Sequence, residues 1–289
     1  MESDQKNEEL HDKTAQYKIG VSTRTLARKH VLSNSTVHRI LRNANIKYYK
    51  SKKVSDFTLN QAQRAKTAAH RLRRDFFPTS GNMKVVMDDE SYFPFKMDSL
   101  PTTTGFYASS DAELSSVPTE VRFHGCSKFP MKLMVWVALS VDGLSASFFC
   151  LRKHSITSKI YREECISKRL KPFLDRMNPN GNFTFWPDLA SAHYATSTIQ
   201  LLQDLHIPFV PKIANPPNCP QLRPIEDLWA CLKAKVYEKG WQASTERQLK
   251  QRILNKMKEF DATTFQNLFA KIKSRIRKVA DEGVYAVIH

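Results

Sequence analysis

Residues 131–140 read MKLMVWVALS and residues 144–151 read LSASFFCL, with Val141-Asp142-Gly143 between them. An Asp-Gly turn between two apolar β-rich runs predicts a β-hairpin. Both runs read as strong strands of a sheet that other elements flank. Those elements alternate with further strands. Lys84-Val-Val-Met87 is a short β-rich run ending in Asp88-Asp89-Glu90, and residues 91–96 begin a second strand. Residues 98–130, rich in Pro, Ser, Thr and Gly, read as loop. Helical spacing covers residues 158–177, 194–205, 226–237, 246–260 and 263–282, and short strands fall at 182–186 and 206–210. This order predicts an α/β class: a mixed sheet flanked by helices.

The first 80 residues follow a different period. Residues 1–16 read as a disordered tail. Ser22 or Thr23 can cap a helix through Thr25, Leu26, Ala27, Arg28 and Lys29, and Asn34 can cap a second over residues 35–43. Val37, Ile40 and Leu41 share one face of that second helix. Ser35, Thr36, His38, Arg39 and Arg42 share the other. Two short helices, a tight turn and a cationic second face describe a small all-α helix-turn-helix segment, placed at residues 17–55. The tract containing Lys50, Lys52 and Lys53 adds a basic strip that can track phosphates or act as a nuclear import signal. Residues 56–80, with Leu59, Ala62, Ala65, Ala68, Ala69, Leu72 and Phe76 on a basic amphipathic helix, read as a helical linker. Residues 81–289 then form the α/β domain.

Charge supports a polyanionic partner. The net charge is +17. Ten of the Lys and Arg residues, and no acid, fall between Tyr17 and Ser55. Each phosphate neutralised by such a surface releases a counterion, so the composition favours nucleic acid. The five cysteines (Cys126, Cys150, Cys165, Cys219 and Cys231) are odd in number and form no C-x-x-C pair, which speaks against a disulfide framework or a zinc site. No apolar stretch approaches the ~20 residues that span a bilayer, and the polar N-terminus has no secretory pattern. The expectation is a soluble, intracellular protein, with the nucleus as its compartment.

Three acids stand at ends of elements: Asp89 after the first strand, Asp188 after the strand at 182–186, and Glu226 just inside a helix that opens on Pro224. Carboxylates at strand ends can converge at one edge of an α/β sheet. Phosphodiester cleavage needs an activated water and relief of phosphate charge, which two Mg²⁺ ions about 3.5–4 Å apart supply. Mg²⁺ takes oxygen ligands. Taken singly, each acid is far better read as a surface or capping group, and the words around them carry the weight.

Those words resemble the mariner superfamily of DDE transposases. Val85-Val-Met-Asp88-Asp89-Glu90-Ser-Tyr-Phe93 is similar to its first-aspartate motif, and Met134-Val-Trp136-Val-Ala-Leu-Ser140 with Asp142-Gly143 to its central hairpin. Phe185-Trp-Pro-Asp188-Leu-Ala-Ser-Ala-His193-Tyr-Ala195 resembles the second-aspartate motif. Asn218-Cys-Pro220-Gln-Leu222-Arg-Pro224-Ile-Glu226-Asp-Leu228-Trp229 resembles the third, and is the most specific block. The resemblance spans roughly residues 20 to 260.

The resemblance implies an RNase H-like fold in which Asp89, Asp188 and Glu226 are the catalytic carboxylates and hold two Mg²⁺ ions, with Mn²⁺ able to substitute. It implies double-stranded DNA as partner, both as transposon terminal inverted repeats and as target, and a homodimer on that DNA. The chemistry implied is hydrolytic nicking at element ends, followed by attack of the freed 3′-hydroxyl on target DNA at a TA dinucleotide. The chain departs from the family pattern in four ways. It has one recognisable helix-turn-helix unit rather than two, and no basic hook between units. Leu189 stands where asparagine is usual. Asp88 beside Asp89 also leaves the first position open: strand alternation turns only one toward the site, and the motif's Asp-Glu pairing favours Asp89. His193 is read as a packing or capping residue, with orientation of the site or phosphate contact as its other role. A transposase-derived DNA-binding protein that cuts nothing, and a different nuclease or integrase of the same fold, are the competing readings.

Overall fold

The computed structural model describes residues 22–48, 56–77, 84–96, 117–118, 131–151, 156–177, 179 and 181–287. The tail at 1–16, the basic strip with Lys50, Lys52 and Lys53, and most of the loop at 98–130 lie outside the described residues. The chain divides into two compact units, Met1–Asp56 and Phe57–His289.

In the first unit, α1 (Thr23–His30) and α2 (Asn34–Asn43) are joined by a tight turn. Ser22 caps α1, and Val31 closes it in the left-handed conformation, φ 55°. Ser33, one residue before the expected Asn34, caps α2: its Oγ accepts from the Thr36 backbone N–H at 3.0 Å. Leu26, Ala27 and Val37 are buried against one another, with Leu32, Ile40 and Leu41 packed on them. The apolar stripe of α2 is thereby used up, which leaves Ser35, His38, Arg39 and Arg42 exposed. Thr36 is half-buried and engaged with the Ser33 cap.

The second unit opens with α3 (Leu59–Phe76), held at its start by a capping box between Thr58 and Gln61. The linker expected here is instead a wall of the larger unit. Ala65, Ala69 and Leu72 are fully buried in its main core, because small side chains at helical spacing let the helix approach closely. The sheet follows the order β3-β2-β1-β5, with β4 also paired to β2. Its strands are β1 (Lys84–Pro94), β2 (Lys132–Ser140), β3 (Gly143–Leu144), β4 (Phe148–Leu151) and β5 (Phe183–Trp186).

The expected hairpin is present but interrupted. Leu139 pairs with Leu144, whereas Trp136 pairs with Phe148. Three residues, 145–147, therefore oppose two on β2, the count of a β-bulge. Ser145 sits in the bulge and its Oγ accepts from the Ala138 N–H at 2.8 Å. Another expectation is corrected on β1, which is one continuous strand rather than two. It runs antiparallel to β2 from Met87 to Pro94 and parallel to β5 only from Lys84 to Met87.

Helices cover both faces. On one lie α3, α7 (Pro224–Val236), α8 (Glu246–Met257), α9 (Ala262–Phe269) and α10 (Ile272–Glu282). On the other, Ser158–Ile160 (α4) continues through a π-helical stretch, Tyr161–Leu170, into α5 (Lys171–Met177), beside α6 (Thr196–Asp204). The last helix, expected to be continuous, is two helices divided at Ala270 and Lys271, so that Phe265 and Ile276 both reach the core. The strand expected at 206–210 is a single bridge, Phe185 with Phe209.

Candidate active site

The site arises where β5 stops pairing. Pro187 follows Trp186 and has no N–H for a ladder, so the parallel pairing ends at Met87–Trp186. Beyond it, Asp88, Asp89 and Glu90 line a β1 edge that β5 no longer covers, and Asp188 enters that gap. Asp89 thus sits in the middle of a long strand, not at the end of a short one. What ends beside it is its neighbour.

Alternation separates the two adjacent aspartates. Val85, Met87 and Phe93 belong to the core beneath α7. Asp89 shares their side and accepts from Trp229 Nε1 of α7 at 2.9 Å. Asp88 faces the other way and is fully buried. There its Oδ2 accepts from Trp136 Nε1 at 2.9 Å and the Tyr161 hydroxyl at 2.5 Å. Its Oδ1 accepts from the backbone N–H of Asp188 at 3.3 Å. Asp88 therefore ties the second aspartate's backbone to β1, while Asp89 and Asp188 present their side chains to a common space.

Glu226 stands in the first turn of α7, where the helix dipole favours an anion. Its charge is felt at Asp89, and that of Asp188 is felt at Glu226. Burial pushes the Asp89 carboxyl up to about 8, opposed by Arg223 and reinforced by Glu226, Asp188 and Glu90. Burial also raises Glu226, with Arg223 opposing and Asp188 adding to the shift. The fold thus brings Asp89 and Asp188 together at a cost in like-charge repulsion, with Glu226 outside that tight cluster but near enough to act on Asp89 electrostatically. Oxygen ligands from Asp89, Glu90 and Asp188 all lie within 4.8 Å of one another. Such an all-oxygen donor set suits a hard divalent cation such as Mg²⁺ or Mn²⁺ and is unsuited to a soft one.

Four residues at the site were not singled out by the sequence reading or were given a lesser role. Glu90 completes the cluster just described. Arg223 is buried against the middle of β1 and the end of β5: it donates to the backbone carbonyl of Asp88 and, at 3.2 Å, to that of Pro187. It lies over the Trp186 ring at 5.5 Å. It ties β1 and the end of β5 to the start of α7, and its charge opposes the upward shifts of Asp89 and Glu226. Lys233, one helical turn beyond Trp229, interacts with Glu226 and Asp89, and burial lowers its pKa. His193 is buried, its Nε2 3.4 Å from Glu90 Oε1 and 3.7 Å from Asp88 Oδ2. Neither ring nitrogen makes a hydrogen bond of good geometry. Burial disfavours its charge, but the Asp88 and Glu90 carboxylates outweigh that and raise its pKa. The Arg-Pro-Ile-Glu word was the only sequence signal that could have pointed to Arg223.

The DNA-binding candidates on α2 belong to the other unit. Among the described residues no helix is long and apolar enough to cross a membrane.

No family model matches the chain, and no curated protein sequence matches it. Solved structures do. A Mos1 transposase paired-end complex with the left transposon end has a TM-score of 0.71 at 18% identity, over 95% of this chain and 77% of that one. A Mos1 mariner paired-end complex with Mn gives 0.70 at 18% identity, over 96% and 77%. The Mos1 transposase catalytic domain with raltegravir and Mg gives 0.59 at 16% identity, over 78% and 96%. What identities this low share is architecture: the chain has the RNase H-like fold of the Mos1 mariner transposase, with a small helical unit ahead of the mixed sheet.

Proposed function

We propose that the chain is a metal-dependent DNA transposase of the mariner type, cutting phosphodiester bonds at transposon ends and joining the freed ends to target DNA. One observation carries this reading. Asp89 on β1 and Asp188 after β5, from segments far apart in the chain, bring carboxylate oxygens within 4.8 Å of one another, and Glu226 on α7 is close enough for its charge to help raise Asp89. The Mos1 neighbours support it, because they include complexes with transposon ends and with Mn or Mg.

Asp89, Asp188 and Glu226 would hold two divalent ions, Mg²⁺ or Mn²⁺, with Glu90 at the edge of the same oxygen cluster. When bound, such ions supply Lewis acidity toward the phosphate and lower the pKa of a coordinated water. The chain's own residues do the rest. Trp229 fixes one oxygen of Asp89, Asp88 fixes the backbone of Asp188, and Arg223 holds β1 and the end of β5 in place while offsetting the repulsion among the acids. Lys233 is positioned to meet negative charge on the reacting phosphate.

In the helical unit, Ser35, Thr36, His38, Arg39 and Arg42 would face double-stranded DNA, with Lys50, Lys52 and Lys53 following the backbone. Terminal inverted repeats and target DNA as partners, a homodimer on DNA and a nuclear location belong to the same reading. The test is nicking of a supercoiled plasmid with Mg²⁺ or Mn²⁺, comparing the wild type with Asp188→Ala. Metal-dependent nicking that the variant lacks is the expected result. DNA binding without any nicking would instead identify a transposase-derived DNA-binding protein.

A further inference from the structure

Beside the three carboxylates the larger unit carries a cavity of about 730 Å³ whose floor includes Asp188 and Glu226. One wall is the solvent face of α3, which presents Arg64, Thr67 and Arg71; the opposite wall is the 212–220 segment, which presents Lys212. Residues at spacings of three and four share a helix face, so Arg64, Thr67 and Arg71 form a stripe along the groove. The opposite stripe, Ala65, Ala69 and Leu72, is buried. Arg71 reaches across and donates to the Ile213 carbonyl at 3.4 Å, bracing the two walls. Arg64 and Lys212 are exposed and make no ion pair among the described residues. They therefore keep their full charge for a ligand.

We propose that this groove is a track for the backbone of a single DNA strand leading to or from the scissile phosphate, gripped by Arg64, Arg71 and Lys212 with the Thr67 hydroxyl between them. The inference rests on the transposase reading and deepens it by naming how the reacting strand is held. Three features point to a strand rather than a duplex or a protein. The cavity has the volume of a small-molecule pocket, roughly 300–1,000 Å³, which admits one backbone and a base or two. The two arginines stand seven residues apart on a helix that rises about 1.5 Å per residue, roughly 10 Å along the groove, a spacing that an extended, evenly charged polyanion can span. The anionic floor is confined to the reacting position, so attraction comes from the walls and selects a chain that runs past the acids.

The test uses full-length protein with benzoylphenylalanine introduced at Thr67, or at Gln200 on α6 across the sheet as control. The probe is a fluorescent DNA duplex with a single-stranded overhang, irradiated and mapped. The expected result is a cross-link from position 67 to overhang nucleotides, none from position 200, and a yield roughly tenfold lower in an Arg64→Glu/Lys212→Glu background, with the loss easing as salt rises. Both substituted residues are exposed, and a thermal melt checks that the variant is folded. No cross-link at 67, equal yields at 67 and 200, or a yield unmoved by charge reversal would each overturn the proposal. Plasmid nicking by the unsubstituted protein reports on the nuclease reading separately. A protein that cross-links without nicking keeps the groove and loses the chemistry, and one that nicks without cross-linking loses the groove.

Discussion

Replacing Asp88 should separate positioning from catalysis. Its carboxylate takes three hydrogen bonds in a fully buried place: two on Oδ2, from Trp136 and Tyr161, and one on Oδ1, from the Asp188 backbone. Asp88→Ala leaves all three donors without an acceptor. Each buried orphan costs about 1–3 kcal/mol, and the relief from no longer burying a carboxyl group offsets part of the sum. A net loss of about 3–5 kcal/mol is expected, in line with breaking a buried polar network by removing one partner. Asp88→Asn is more informative. With its oxygen toward Trp136 and Tyr161, its amide must face the N–H of Asp188, donor against donor. Stability then falls by only about 1–2 kcal/mol, the scale of one lost bond, but the tether on Asp188 is gone. Urea unfolding measures the first quantity, and Mn²⁺ titration followed by electron paramagnetic resonance measures the second. The Asn variant should bind Mn²⁺ at least tenfold more weakly, about 1.4 kcal/mol, while remaining folded. Asp88→Ala within about 0.5 kcal/mol of wild type, the range of an inconsequential surface change, would refute the reasoning. So would Asp88→Asn with unaltered Mn²⁺ affinity.

Other consequences are open to measurement. Asp89→Asn, Asp188→Asn and Glu226→Gln should each abolish plasmid nicking while leaving DNA affinity in a gel-shift assay nearly intact; substantial cutting by any one removes that residue from the set. Because the folded-state pKa of Asp89 lies near 8, above its unfolded value of about 3.9, the metal-free native state binds the extra proton between those values. Its contribution to stability is present at low pH and is lost as pH rises from about 4 to 8, at a slope of up to roughly 1.4 kcal/mol per pH unit. Unfolding of wild type and Asp89→Asn across that range should show the slope reduced in the variant, and Mg²⁺ uptake by the wild type at pH 7 should release protons. Arg39→Ala or Arg42→Ala should weaken binding to duplex DNA and flatten the log–log salt dependence by about 0.9 per lost phosphate contact; identical salt titrations would count against α2 as the DNA-facing helix.

Local chemistry made much of this protein legible in its sequence. The Asp-Gly turn between apolar runs located the central strands, Pro224 located the start of the helix that bears Glu226, and the stripe of Val37, Ile40 and Leu41 gave both faces of α2. These features depend on residues within a few positions of one another. The flanking words around the three acids added what a lone carboxylate cannot convey. Alternation along β1 told us that Asp88 and Asp89 point opposite ways, but not which way held the site. That was decided by α7, which packs on the Asp89 side through Trp229, and by the termination of β5, which leaves Asp88 to secure Asp188 from behind. The burial of α3 and the assembly of Glu90, Arg223, Lys233 and His193 around the acids were likewise settled only by tertiary packing. Each depends on partners tens to more than a hundred residues away, and the free energy of bringing them together is not encoded in any local window.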